Sequence, residues 1–340
     1  MRKYIQLTIG LLLLIAMPSF AQSVSKVGTT AGGFLGIDVG PRGNGMGGAY
    51  VSVANDATAM YWNPAGIAKI KNFQATFSNT NWIADLSFNY AGAVLSLGNL
   101  GTVGVSATFL TMDQMERTTI ANPDGTGEMF DAGCYAVGLS YARDLTEQFS
   151  IGFNVKFVNE RMYHSNANGF ALDVGALFDT QFHGLKLGMS ITNYGTKMQL
   201  DGQDLQIQYD IDPSVSGNNS NINAKLATDK FDLPLMFRVG VSMDVLKGLA
   251  NSNLILSVDA LHPSDDVEYV NLGGEWVFMD MFSLRAGYKQ LFAEDSEQGL
   301  NFGGGVKYTT FDTTTLYFDY SYVDFGVFDA VHTFSLSLGL

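Results

Sequence analysis

The sequence contains a single cysteine, Cys134, among 340 residues, so an internal disulfide is excluded. Charged residues make up only 15% of the chain, against about 25% in an average protein. The formal net charge is −14, and this acidic balance argues against nucleic acid as a partner. Low charge together with 38 glycines and 24 phenylalanines is unusual for a water-soluble domain of this length.

Long apolar runs are also missing beyond residue 21, which excludes a later transmembrane helix. The N-terminus instead has a basic start at Arg2 and Lys3, a short apolar segment over residues 5–17, and the small-x-small sequence Ser19-Phe20-Ala21. This order predicts a secretory signal peptide over residues 1–21. The net charge becomes −16 on cleavage, because the two basic residues leave and no acid does.

Alternation of apolar and polar residues dominates the rest of the chain. In "FSIGFNVKFV", which starts at Phe149, every second residue is large and apolar, whereas the intervening ones are small or polar. The same pattern recurs in "LPLMFRVGVSMDV" and "TLYFDYSYV". A period of two predicts β-strands with one apolar and one polar face.

Strand number and length favour an all-β, antiparallel outer-membrane barrel over a soluble sandwich. The segments are about ten residues long, enough to cross a bilayer at a tilt, and an even number is typical of bacterial barrels. Fourteen strands are predicted, over 73–81, 86–97, 101–111, 130–142, 148–160, 169–179, 184–194, 233–245, 253–262, 267–278, 281–290, 299–309, 313–323 and 330–340.

The connections and the polar faces support the same prediction. Short connections such as 98–101 and 279–280 alternate with longer ones at 112–129, 194–232 and 291–298, as periplasmic turns and outer loops do. The polar faces carry about one charge per strand, and these charges are predicted to face the lumen: Lys156, Asp173, Lys186, Arg238, Asp259, Glu275, Arg285, Lys307 and Asp319. The first and last strands should pair, because an open edge is costly in lipid.

A glycine-rich stretch lies between the leader and the first strand. Gly43, Gly45 and Gly48 have the G-x-G-x-x-G spacing of a dinucleotide-binding turn. Pro41 and Arg42 precede it instead of a strand, and no helix–strand alternation follows, so we interpret the match as chance.

Residues 22–72 are therefore predicted to form a plug inside the barrel of residues 73–340. A fourteen-strand lumen is too wide to be filled by wall side chains alone, and the segment contains apolar residues that need cover. Its glycines would allow close packing against the wall. Arg42, Asp56 and Lys69 could pair with lumen charges; the alternative is that the lumen charges only keep it wet.

The stretch "GPRGNGMGGAYVSVANDATAMYWNPAGIAKI" resembles the N-terminal hatch of FadL-like outer-membrane proteins, and more closely that of the PorV/PorQ branch. The resemblance covers nearly all of the mature chain and implies the same fourteen-strand fold. The matching plug-motif residues are Arg42, Gly45, Met46, Gly47, Gly48, Ala49, Asp56, Ala57, Trp62, Asn63, Pro64, Ala65 and Gly66. The C-terminal Leu340 departs from the aromatic residue that ends many such barrels.

The resemblance implies two functions. A PorV-like protein is a non-enzymatic accessory of type IX secretion that shuttles exported proteins with C-terminal sorting domains to the cell surface, with the outer loops as the docking surface. A FadL-like protein is a channel for hydrophobic molecules. Phe34, Met60 and Tyr61 could contact a ligand in the lumen, although packing of the plug would use the same residues.

Catalysis has little support in the sequence. "LHPSDDVEY" brings His262 near three acids, but a short acidic loop is usually solvated, and no nucleophile constellation stands out. The four histidines and the cysteine have no metal-ligand spacing. We therefore predict no catalytic residue, no metal and no cofactor, with the bacterial outer membrane as location and its lipid as the surrounding partner.

Overall fold

The computed structural model describes residues 28–340 apart from 183, 218, 220, 247–250, 294–295 and 311–313. The predicted signal peptide and His183 lie outside the described residues. None of the helices in the described part is long and apolar enough to cross a membrane.

The wall is a closed antiparallel barrel of fourteen strands, so the predicted fold class is confirmed. The last strand pairs with the first, from Asn81 opposite His332 to Gln74 opposite Gly339. The strands are β1 Phe73–Asn81, β2 Ser87–Ser96, β3 Thr102–Thr111, β4 Ala132–Asp144, β5 Phe149–Met162, β6 Ser165–Asp179, β7 Leu185–Gly195, β8 Met236–Asp244, β9 Ser252–Pro263, β10 Tyr269–Phe278, β11 Phe282–Leu291, β12 Leu300–Thr310, β13 Thr314–Asp324 and β14 Ala330–Gly339.

The two faces of the wall differ as the alternation predicts. Large apolar side chains such as Phe77, Leu139 and Leu284 are exposed on the outside, where lipid covers them in a membrane. Polar side chains such as Asp173 and Glu275 are buried on the inside. Closure leaves no free edge in the described wall of the barrel, where unpaired backbone groups in hydrocarbon would cost several kcal/mol each.

Some strand ends and loops differ from the prediction. β6 begins at Ser165 rather than at residue 169, because β5 and β6 continue to a tight turn at Tyr163-His164. Tyr163 has a φ of 53° in this turn, a conformation that Asn or Gly usually adopts. Because the turn contains neither residue, the sequence did not predict it. The outer connection between β5 and β6 is therefore short, and the predicted contrast in length holds only for part of the outer loops.

The long outer loops carry small sheets of their own. Met115–Glu116 pairs with Met129–Phe130, Met198–Gln199 with Lys230–Phe231, and Gln206–Tyr209 with Ile222–Lys225, while Asp201–Gly202 extends β6. Single 3-10 turns lie at Ile83–Asp85, Gly98–Leu100, Gln203–Leu205 and Gly326–Phe328.

The described part of the N-terminal segment, residues 28–72, fills the lumen; we call it the plug. It contains 3-10 turns at Gly33–Gly36 and Pro64–Lys69 and the short helices α1 (Pro41–Gly45) and α2 (Ala59–Trp62). Proline at the first position of α1 suits a helix start, where its missing N–H has no partner to lose. Gly47 and Gly48, with φ of 64° and 74°, then turn the chain back, a conformation that favours glycine.

Candidate functional site

The plug backbone lies directly against glycines of the wall. Nine strands each present one glycine at which an added Cβ would lie within 3.1 Å of a plug atom. A Cβ on Gly188 would lie 2.5 Å from the Val51 carbonyl oxygen, and one on Gly104 would lie 2.5 Å from Met60 Sδ. We call this set the glycine belt: Gly92, Gly104, Gly152, Gly175, Gly188, Gly240, Gly273, Gly287 and Gly303.

Buried charges join the plug to the wall on β10–β13. The Glu275 carboxylate, 2% exposed, accepts hydrogen bonds from Arg42 of the plug at 2.9 and 2.7 Å and from Arg285 at 2.8 Å. Arg285 also pairs with Asp319 at 2.6 Å, and Arg42 with Asp56 at 3.3 Å. Two guanidiniums and three carboxylates thus form one network that includes two residues of the plug motif.

Other predicted plug charges behave differently. Lys69 pairs with the wall through Asp144 at 3.1 Å and Asp179 at 3.5 Å. Asp56 instead makes bonds within the plug: it accepts from Tyr50 Oη at 2.6 Å and from the backbone N–H of Thr58 at 2.9 Å. Among the described contacts, Asp56 therefore pairs with groups of the plug and not with the wall.

The Asn63-Pro64 turn is held by side-chain hydrogen bonds. The Asn63 amide donates to the carbonyls of Val51 at 2.8 Å and Ala176 at 3.0 Å, which links two parts of the plug and β6. Its oxygen accepts from the N–H of Ala65, a helix-cap contact. The neighbouring Trp62 donates from Nε1 to the Val39 carbonyl at 2.9 Å.

Asn63→Ala should lower the free energy of unfolding by about 2–3 kcal/mol, because it leaves buried backbone groups without partners. The midpoint of urea unfolding in detergent, followed by tryptophan fluorescence, measures the change. Asn122→Ala, at an exposed outer-loop asparagine, is the matched control and should shift the midpoint little. Equal shifts for the two variants would contradict the assigned role of Asn63.

The three residues predicted to contact a ligand in the lumen, Phe34, Met60 and Tyr61, lie together on the plug and line a gap that faces β2–β5. Phe34 and Met60 are buried in the apolar clusters of the plug. The gap that they line has a volume of about 20 Å³, enough for about one water molecule. In the described conformation these residues therefore pack the plug against the wall.

Larger cavities lie at both ends of the plug. Two on the periplasmic side, the end with Phe73 and Leu340, measure about 270 and 420 Å³ and share Arg42 and Asn55 in their linings. One on the outer side, here called the outer cavity, measures about 230 Å³. It lies between the plug and the outer ends of β11–β14, beneath the Trp82–Phe325 aromatic pair.

The lining of the outer cavity combines apolar and polar side chains. Apolar side chains come from Ile37, Trp82, Val323, Phe325 and Val331. Asn44 and Asn301 line it too, 4% and 1% exposed, and within the described part of the chain the side-chain oxygen of each has no hydrogen-bond partner. Sequence reasoning missed these polar residues; alternation assigned residues to the lumen face, but not to a level along the barrel axis.

The outer end of β9 and the loop between β9 and β10 contain the histidine and the acids that the sequence analysis considered for catalysis. His262 Nδ1 lies 2.9 Å from Glu268 Oε1, and both side chains are more than half exposed. Asp265 accepts from Thr30 Oγ1 at 2.6 Å. Among the described residues, no group of three His, Cys, Asp or Glu side chains is placed to hold a metal ion.

Comparison with known proteins gives structural neighbours, whereas no family model and no curated protein matches the chain. The monoaromatic hydrocarbon channel CymD is 14% identical, with a TM-score of 0.53 over 88% of this chain and 96% of that one. A Pseudomonas aeruginosa FadL homologue is 14% identical, with a TM-score of 0.50 over 87% of this chain and 96% of that one. The Ralstonia pickettii toluene transporter TbuX is 11% identical, with a TM-score of 0.51 over 88% of this chain and 97% of that one. The chain thus has the FadL-type fold of a bacterial outer-membrane barrel, which also agrees with its apolar outer face.

Proposed function

We propose that this outer-membrane barrel passes small, largely apolar molecules inward across the outer membrane. The observation that carries the proposal is the outer cavity, which is lined in part by apolar side chains and lies at the outer mouth of a FadL-type barrel. Structural neighbours named as a monoaromatic hydrocarbon channel and a toluene transporter support the same class of cargo. No reaction is part of the proposed role.

The route that we propose runs past the plug. Each described wall strand pairs with both of its neighbours over most of its length, and register shifts lie at Leu172/Val174 and Val270/Leu272. A molecule in the outer cavity therefore reaches the periplasmic cavities only if the plug moves. Arg42 and Asn55 line both periplasmic cavities, so a displacement of this part of the plug would join them.

A disulfide between plug and wall tests this route. Ser52 Oγ of the plug lies 3.5 Å from Ser257 Oγ of β9, so Ser52→Cys/Ser257→Cys needs little movement to reach the S–S distance of about 2.05 Å. Host cells that lack hydrocarbon channels of their own are used to express each protein. We expect cells with the oxidised variant to take up radiolabelled toluene at least about tenfold more slowly than cells with the wild type. Reduction should restore uptake.

The single variant Ser52→Cys is the matched control, and both proteins keep the native Cys134. A mass measurement of the cross-linked peptides establishes that the bond has formed. Undiminished uptake with a complete cross-link would contradict the route past the plug. Uptake by the wild-type chain no faster than in cells without it would contradict the transport proposal itself.

The second candidate is the PorV/PorQ-like role in type IX secretion, with secreted proteins bearing C-terminal sorting domains as partners. The favouring observation is that the glycine belt and the hydrogen-bonded wall leave the lumen closed, which suits a static docking surface. The same variant separates the two candidates. A secretion accessory should support surface delivery of exported proteins equally well with the plug cross-linked.

A further inference from the structure

The outer cavity has a polar requirement that a bare hydrocarbon does not meet. The Asn44 amide donates to Thr333 Oγ1 at 3.2 Å, but its side-chain oxygen has no hydrogen-bond partner among the described residues, and the same holds for the side-chain oxygens of Asn301 and Gln298. All three residues line the cavity. Buried acceptors without partners are costly, and such groups in folded proteins are usually satisfied by water or a ligand.

The charges at the cavity are already balanced. Lys289 of β11 and Asp38 of the plug are its charged lining residues, and Nζ and Oδ2 lie 2.5 Å apart. Both side chains are largely buried, at 12% and 15% exposure. A charged ligand would have to compete with this pair, whereas a neutral ligand would leave it intact.

The size of the cavity limits the ligand further. A cavity of about 150 Å³ takes up benzene, so about 230 Å³ accommodates a single ring with a short substituent. The apolar side chains contact the body of such a molecule, and the amide oxygens accept from its polar end.

From these three features, and resting on the proposed function, we infer that the outer cavity binds neutral, single-ring-sized apolar molecules that carry a hydrogen-bond donor, such as phenols. Asn301 is the residue we assign to the donor, because it is 1% exposed and no described residue donates a hydrogen bond to its side-chain oxygen. A hydrocarbon of the same size would contact the apolar side chains of the cavity and leave the amide oxygens without a hydrogen-bond donor.

Calorimetric titration of the full-length protein in detergent micelles, with micelle blanks, tests the inference. The probes are 4-methylphenol, which has a donor, and 4-methylanisole, in which a methyl group blocks it. We expect the phenol to bind about tenfold more tightly, the usual effect of one satisfied buried acceptor. Asn301→Leu should remove this preference and leave binding of the ether unchanged.

Two further variants control the location of binding. Gly36 lines the cavity and has no atom within 4 Å of an added Cβ, so Gly36→Leu should fill the space and weaken both probes at least about tenfold. Asn159→Leu makes the same change at an amide that is already bonded to Asn168 at 2.8 Å, and should leave both affinities unchanged. Retention of the folded-barrel mobility on unheated gels shows that each variant is folded.

Equal affinity of the wild type for the two probes, or an equal loss of both in Asn301→Leu, would overturn the inference. If cells take up toluene but the protein binds 4-methylphenol no more tightly than 4-methylanisole, the inference fails while the transport proposal stands. Phenol binding that depends on Asn301, with no uptake by cells, would leave the binding site standing without transport.

Discussion

Glu275→Ala should loosen the plug and lower the free energy of unfolding by about 3–5 kcal/mol. The variant leaves Arg42 and Arg285 facing each other in a buried site without the carboxylate that both bind. The substitution is costly because three buried N–H donors of the two guanidiniums lose their acceptor, while only Asp56 and Asp319 remain to pair with them. The rate of tryptic cleavage at Arg42, with the urea unfolding midpoint, measures the effect.

Glu268→Ala is the matched control for this change. Glu268 is 70% exposed and pairs only with His262 in the described structure, so its loss should cost less than about 1 kcal/mol. Glu275→Gln should lie between the two, since the amide keeps one acceptor and the shape of the side chain. A plug that resists trypsin equally in Glu275→Ala and in the wild type would refute the role given to the network.

Gly188→Ala is the second change with a large expected effect. Its methyl group would lie 2.5 Å from the Val51 carbonyl oxygen and 2.6 Å from Ser52 Cα, and both are backbone atoms that cannot rotate away. Plug or wall must then shift, and we expect a destabilisation of about 3 kcal/mol or more. The unfolding midpoint and the protease resistance of the plug report the two consequences separately.

Gly304→Ala makes the same chemical change on the opposite face of the wall. A Cβ there meets only the Ser283 carbonyl oxygen, at an ordinary 3.7 Å, so stability should change by less than about 0.5 kcal/mol. If both alanine variants were as stable as the wild type, the close fit between the glycine belt and the plug would not matter for stability.

Strands were predictable because the signal for them is local. Every second side chain must suit lipid, and the alternation persists over whole strands; the first strand was predicted at its observed bounds, Phe73–Asn81. The ends failed where turn chemistry was silent, as at Tyr163, whose positive φ follows from the pairing of β5 with β6.

The site was less predictable, because its contacts join distant parts of the chain. Arg42 and Glu275 are separated by 233 positions, and nothing local states that they meet. Alternation placed Glu275 on the lumen face, but its height depends on how the strands are staggered around the barrel. For the same reason the wall glycines carried no visible sign that they would meet Val51 or Met60.

The uneven distribution of the glycine belt has a consequence for biogenesis. Within the described strands, β1, β4, β9, β13 and β14 contribute no belt glycine, and three of these, β13, β14 and β1, are neighbours around the seam. At the seam, Thr333 of β14 accepts a hydrogen bond from the Asn44 amide of the plug and is hydrogen bonded to Thr80 of β1. Strands whose backbones fit closely around the plug cannot admit it after they have joined. We therefore expect the β1–β14 seam to be the last pair of strands to join during insertion into the membrane, after the rest of the sheet has formed around the plug.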